Sequence, residues 1–213
     1  MKRLGLARAS DDPLCQAVRA AGWEPVPLFL TAMVATGAAP PLADADAILV
    51  LSPAAARLAL LPPELPCLAQ GQSTARALAG RPVRVSATPK AEGLFELLRA
   101  EFPQGGRFLL ARAERSRQYL EQATEGTPWQ LLPWITHREA PIEPPPELPA
   151  LDGVLALSPL QATLLGPRSE GLLRFAWGGR TRQAFLQAGY PGAGWCEPDA
   201  AALQSLLCSR SNS

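Results

Sequence analysis

Leu173–Gly189 reads LRFAWGGRTRQAFLQAG, and this pattern decides what the rest of the chain can build. The apolar run Leu173–Trp177 predicts a short buried strand. The pair Gly178–Gly179 ends it, and a helix opens at Arg180–Thr181 and closes at Gly189. A strand that feeds a helix through glycines leaves backbone N–H groups pointing past the strand's end. Those orphan donors, with the helix dipole, attract anions. Arg180 and Arg182 in the same turn suit a carboxylate or phosphate. Within this stretch alone, an ordinary strand–helix turn with solvated arginines reads the same way.

The stretch has a counterpart earlier in the chain, because the sequence repeats at a shift of roughly 105 residues. Gly71-x-x-Thr74-x-x-Ala77 recurs as Gly178-x-x-Thr181-x-x-Ala184. Leu51–Ser52–Pro53 recurs as Leu157–Ser158–Pro159, each a strand end with serine as helix cap and proline in the first turn. Leu6–Ala7–Arg8–Ala9 recurs as Leu110–Ala111–Arg112–Ala113, and Pro27–Leu28 answers Pro133–Trp134. Four matches in one order at nearly one shift predict two similar lobes.

Around these anchors, strands and helices alternate. Strands are expected at 3–7, 47–51, 67–71, 83–86, 107–111 and 154–157, with extended segments at 24–31 and 129–137. Helices are expected near 11–21, after Ser52, at 72–79, 91–102 and 116–124, after Ser158, and at 200–208, with a frayed tail at 210–213. Pro25 and Pro27 confine the segment 24–31 to an edge or linker. The proline-rich run 139–149 (EAPIEPPPELP) is a connector. The alternation predicts an α/β fold of two similar lobes, each a parallel sheet flanked by helices. Ligands bind such sheets beyond the carboxyl ends of the strands. Ser52, Thr74, Ser158 and Thr181 all fall there, so facing strand ends would form a hydroxyl- and arginine-lined cleft for a polyanion.

Composition bounds the function. The 213 residues, 47% apolar, carry a net charge of +1, which gives no basic field for nucleic acid or membrane. The only lysines are Lys2 and Lys90; the other basic residues are arginines, which suit bidentate carboxylate binding. No run reaches the roughly 20 apolar residues of a membrane span. The start MKRLGLARASDD turns acidic before any apolar region develops, so no signal peptide is expected. Cys15, Cys67, Cys196 and Cys208 form no CxxC and have no nearby histidine, which fits neither zinc nor a disulfide scaffold. Reduced thiols in a cytoplasmic protein, with no metal and no cofactor, are the expectation.

The chain resembles the uroporphyrinogen-III synthase family in the order and spacing of these motifs. They are Arg8 after the first strand, the strand-Ser-Pro segments at 51–53 and 157–159, and the turns Gly71–Ala75 and Gly178–Arg182. The resemblance implies a discontinuous lobe of 1–27 plus 138–213, a second lobe of 33–132, and bridging strands 28–32 and 133–137. It implies a monomer whose substrate is hydroxymethylbilane, a linear tetrapyrrole with eight carboxylates, and a transient contact with the upstream bilane-forming enzyme. The reaction it implies is loss of water, ring closure through a spiro intermediate, and inversion of the terminal pyrrole. The sequence has one histidine and no Ser-His-Asp signature, consistent with chemistry that the pyrrole nitrogens drive.

On this resemblance Thr181 is the candidate catalytic hydroxyl. The candidate substrate contacts are Arg8, Ser52, Thr74, Arg112, Trp134, Ser158, Arg174, Gly178, Gly179, Arg180 and Arg182. The family's tyrosine in the second bridging strand is Trp134 here, which cannot donate a phenolic proton. His137 closes that segment, and Tyr119 and Tyr190 read as structural. The alternative is a non-catalytic two-lobed binding or sensor protein for an anionic small molecule. A nucleotide-binding enzyme is disfavoured because there is neither GxGxxG nor a Walker sequence.

Overall fold

Two sheets organise the chain in the computed structural model, which describes residues 1–41, 44–191 and 194–211. The chain divides into unit 1, Met1–Ala32 with Ala140–Ser213, and unit 2, Met33–Glu139. In unit 1 the strands are β1 (Lys2–Leu6), β2 (Trp23–Pro27), β9 (Gly153–Ala156), β10 (Leu173–Trp177) and β11 (Gly194–Cys196). Their order is β11-β10-β9-β1-β2, and neighbouring strands run parallel. The second sheet has the order β3-β8-β7-β4-β5-β6. Its strands are β3 (Thr31–Ala35), β4 (Ala47–Val50), β5 (Cys67–Ala69), β6 (Val83–Val85), β7 (Gly106–Ala113) and β8 (Trp129–Pro141).

Parallel strands buried on both faces alternate their side chains between two helix layers. In unit 1, Leu4, Leu6, Leu155 and Phe175 pack with α1 (Pro13–Ala20) and α8 (Ala200–Ser211). Val154, Ala156 and Ala176 turn to the opposite face, against α6 (Pro159–Leu165) and α7 (Gly179–Gln187). Trp23 and Phe175 meet edge to face, their centroids 5.9 Å apart. In unit 2, Ile48, Val50, Leu109 and Ala111 face α2 (Pro53–Leu58) and α3 (Gln72–Ala77). Ala47, Leu49, Phe108 and Leu110 face α4 (Ala91–Glu101) and α5 (Tyr119–Thr124).

The internal repeat extends to register. Leu4 pairs with Gly153 in unit 1 as Phe108 pairs with Ala47 in unit 2. Leu155–Phe175 corresponds to Leu49–Leu68, and Leu6–Pro27 to Leu110–Pro133. The serine caps form as the sequence expects: Ser52 Oγ accepts from Ala55 N at 3.1 Å and Ser158 Oγ from Gln161 N at 3.2 Å.

Several boundaries differ from expectation. The segment expected at 24–31 is β2 at Trp23–Pro27, an edge strand whose two prolines are tolerated there, and three residues outside any strand lead from it into β3. β3 covers Thr31–Ala35 and β8 is one strand of 13 residues, Trp129–Pro141. Three-residue β11 was not anticipated. The helix expected at 200–208 continues through Ser211, and Asp199 Oδ1 caps its start by accepting from Ala201 N and Ala202 N. The rest of the expected tail, 212–213, lies outside the described residues.

Candidate functional site

Unit 2 opens a pocket of about 610 Å³ at the carboxyl edge of its sheet. Each wall is a strand-end turn: Leu51–Ser52 after β4, Gln70 after β5, Pro89–Lys90 before α4, and Arg112–Ala113 at the end of β7. Ser116, Arg117 and Tyr119 close the far side. A register irregularity between Arg112 and Ala113 disturbs the β7–β8 ladder beside this pocket. Bulges of this kind re-aim side chains at sheet rims. A smaller recess adjoins it, sharing Leu51, Gln70 and Pro89 and adding Gly71, Ser73 and Thr74.

Arg112 is the buried cation of this pocket, only 8% exposed. Its Nη1 donates to Ser116 Oγ at 2.9 Å and to Ala113 O at 3.1 Å. Its Nε stands 2.9 Å from Glu121 Oε1. The approach is an ion pair without hydrogen-bond geometry, since neither Nε nor either Glu121 oxygen has a hydrogen-bond partner among the described residues. Lys90 and Arg117 are exposed cations on the rim, and Glu92 is the one carboxylate in the lining. The first turn of α4 adds N–H groups, because its N-cap Lys90 offers no capping side chain.

His137 lies behind Arg112 and is 3% exposed. Thr136 Oγ1 donates to Arg112 O at 3.3 Å and stands at hydrogen-bond distance, 2.9 Å, from His137 Nδ1. Burial pushes the His137 pKa below its ordinary value. Protonation therefore favours the unfolded chain, and stability present above about pH 6.5 is lost as pH falls toward the folded pKa. Melting curves are expected to show this acid-side loss, and His137→Gln to flatten it. An unchanged acid limb would contradict the assignment.

In unit 1 the matching strand ends carry Arg8 after β1, Ser158 after β9, and Gly178–Arg182 after β10. Gly178, at φ 92°, occupies the left-handed region and caps α7 without a side-chain bond. The first N–H groups of α7 are thus left without a capping side chain, and Gly179 and Arg180 beside them are exposed. Thr181 is 3% exposed and Thr74, its equivalent on α3, also 3%. Neither hydroxyl has a partner among the described residues. Arg8 pairs with Asp12 at 3.3 Å, and the repeat places Ser116 where Asp12 stands.

The structure therefore brings Ser52 and Arg112 into one pocket, with Thr74 in the adjoining recess. Ser158, Arg8 and the Gly178–Arg182 turn share the carboxyl edge of the other sheet. Arg182 stacks on Trp195 with its guanidinium 5.6 Å from the ring. Two candidates stand elsewhere. Arg174 is at the opposite end of β10, donating to Ser169 Oγ at 2.8 Å and Ser169 O at 2.9 Å. Trp134, expected to contact substrate, is 2% exposed in the unit 2 core, its Nε1 donating to Ala38 O at 2.8 Å.

Sequence reasoning missed Lys90, Arg117, Gln70 and Ser116, and read Tyr119 as structural. The repeat held the signal for Ser116, four residues after Arg112 as Asp12 is after Arg8. Among the described residues no three His, Cys, Asp or Glu side chains gather to hold a metal ion, and no helix is long and apolar enough to cross a membrane. Burial raises the thiol pKa of Cys15 and Cys67. Burial with Asp199 and Glu197 lifts Cys196 to about 11, so these thiols are weak nucleophiles.

A family model described as uroporphyrinogen-III synthase HemD matches residues 12–149, more than half of the chain. The solved uroporphyrinogen-III synthetase of Helicobacter pylori is 14% identical, with a TM-score of 0.62 over 99% of this chain and 100% of its own. That likeness is one of fold. A mutant uroporphyrinogen III synthase of Thermus thermophilus is 18% identical, with a TM-score of 0.48 over 100% of this chain and 98% of its own. No curated protein matches the chain.

Proposed function

The chain belongs to the uroporphyrinogen-III synthase family, an enzyme family of porphyrin biosynthesis, and we propose how its residues carry that reaction. The observation that supports the reading best is the strand-end pocket of unit 2, which collects Lys90, Arg112 and Arg117 around hydroxyl and amide donors. Such a lining suits carboxylates on a flexible ring-bearing ligand. The substrate is hydroxymethylbilane, with eight carboxylates. A pocket of about 610 Å³ takes part of such a molecule. Arg8, Ser158, Gly178, Gly179, Arg180 and Arg182 are the proposed substrate contacts on unit 1.

The reaction begins with the terminal hydroxymethyl oxygen leaving as water. A proton joins the departing oxygen, and the lone pair of the adjacent pyrrole nitrogen replaces the broken C–O bond, giving an azafulvenium cation. The far terminal pyrrole attacks that carbon through its substituted ring carbon, forming a spiro intermediate. Breaking the older bond at the spiro carbon leaves a second azafulvenium on the adjoining pyrrole. The free α-carbon on the other side of the terminal ring's nitrogen attacks the methylene carbon of that azafulvenium, which inverts the ring, and loss of the proton from that α-carbon restores aromaticity. The protein's contribution is to hold the chain ends in spiro geometry, an orientation effect worth several kcal/mol in favourable cases.

Thr181 is the proposed donor to the leaving oxygen, placed by the glycine turn at the start of α7. The bridging segments 28–32 and 133–137, a cytoplasmic location and direct transfer from the bilane-forming enzyme belong to the same proposal. Thr181→Val keeps the shape and removes the hydroxyl. It is expected to lower kcat about 10- to 100-fold with KM nearly unchanged and the fold intact. Wild-type kcat in this variant would remove Thr181 from the chemistry.

A further inference from the structure

We propose that Gln161 is a positioning residue that joins the strand-end turn Leu157–Ser158 of unit 1 to the outgoing segment at Thr31. The proposal rests on the reading above, in which that turn meets substrate. Ser158–Pro159–Leu160–Gln161 has the spacing of a capping box, S-x-x-Q. Ser158 Oγ accepts from Gln161 N at 3.2 Å, and Gln161 Oε1 accepts from Leu157 N at 2.9 Å. The return bond lands one residue upstream of the cap, so it grips the turn itself and not only the helix start.

The other end of the amide reaches a different part of the chain. Gln161 Nε2 donates to Thr31 Oγ1 at 3.2 Å. Thr31 is the last residue but one of unit 1 before the chain continues at Met33. Gln161 is only 8% exposed, and a buried amide is tolerated where its donors and acceptor find partners. One side chain thus fixes the turn after β9 and the start of β3 with respect to each other.

The repeat separates this device from the requirements of the fold. The residue of unit 2 equivalent to Gln161 is Ala55, whose backbone N donates to Ser52 Oγ at 3.1 Å. Ala55 has no side chain able to make either of the other bonds. The same strand–Ser–Pro–helix turn therefore forms in unit 2 from the serine cap alone. The added amide in unit 1 serves position, not the existence of the turn.

Gln161→Met and Thr31→Val, alone and together, test this on the full chain with hydroxymethylbilane generated in situ. Gln161→Met is expected to lower kcat about tenfold with KM within about twofold, and Thr31→Val about three- to fivefold. The double variant is expected to be no worse than Gln161→Met, because both cut one link. Gln161→Glu keeps an acceptor for Leu157 N and lets the Thr31 hydroxyl donate, so it is expected to restore most of the turnover. Unchanged kcat in Thr31→Val and Gln161→Met, with only a lower melting temperature, would overturn the proposal, as would additive losses. Should Gln161→Met not fold, Thr31→Val decides alone, since it alters neither cap nor helix. Wild-type protein run alongside separates the two failures: no isomer III from it defeats the substrate reading, and the positioning role with it.

Discussion

Glu121→Gln is expected to destabilise the protein by about 3 kcal/mol, at the lower end of the cost of breaking a buried ion pair. The side chains of Arg112 and Glu121 are 9% and 21% exposed, so removing the carboxylate leaves a guanidinium charge with little water to compensate it. Arg112→Ala strands the carboxylate in the same way, and its loss is expected to be similar. Replacing both, as Arg112→Met with Glu121→Leu, removes the charges together and is expected to recover stability to within about 1 kcal/mol of wild type. Turnover is expected to stay low in the double variant, because the pocket has lost its buried cation. Chemical denaturation and kcat/KM therefore come apart. A double variant that is stable and fully active would make Arg112 a purely structural residue.

The second large effect is electrostatic and belongs to the rim. Lys90→Glu with Arg117→Glu turns two of the three cations lining the unit 2 pocket into carboxylates, beside the existing Glu92. For an octa-anionic substrate this is expected to lower kcat/KM about 100-fold, mostly through KM. Both residues are exposed, so thermal stability is expected to change little. Wild-type KM is expected to rise with ionic strength over a range where that of the double variant rises less. Arg57→Glu on α2 with Arg76→Glu on α3, both exposed and outside the pocket lining, serves as the charge-matched control. Equal losses in the control and the rim variant would assign the effect to overall charge and not to this pocket.

Much of the fold was legible because the repeat doubled every signal. Leu51–Ser52–Pro53 and Leu157–Ser158–Pro159 each combine an apolar strand, a hydroxyl cap and a proline in the first turn, and both caps formed. Gly71 and Gly178 marked the equivalent turns in the two halves. What escaped was too short or too local to carry a period. β11 is three residues, Gly194–Cys196, and its pairing with β10 is fixed by the sheet and not by its own pattern. β3 (TAMVA) shows no clean alternation and forms at a sheet edge beside β8.

The site was legible at the strand ends and less so around them. Ser52 and Arg112 stand out in the sequence because they follow strands in repeated motifs, and both line the unit 2 pocket. Lys90 precedes α4 without any motif, and Arg117 lies in a turn whose equivalent in the first repeat is not basic. Trp134 shows the limit of position alone. Its place after Pro133 marks it as a counterpart of Leu28, and like Leu28 it is buried, its indole N–H spent on Ala38 O. Arg174 was judged by type, yet it stands at the amino end of β10, where side chains do not reach a strand-end ligand.

The most direct test supplies hydroxymethylbilane, formed in situ, to the purified protein, then oxidises the products and separates the porphyrin isomers. Left alone, the bilane closes without inversion to isomer I. The expected result is predominantly isomer III, in an amount that depends on the protein. Isomer I alone, from protein shown to be folded, would contradict the proposed reaction.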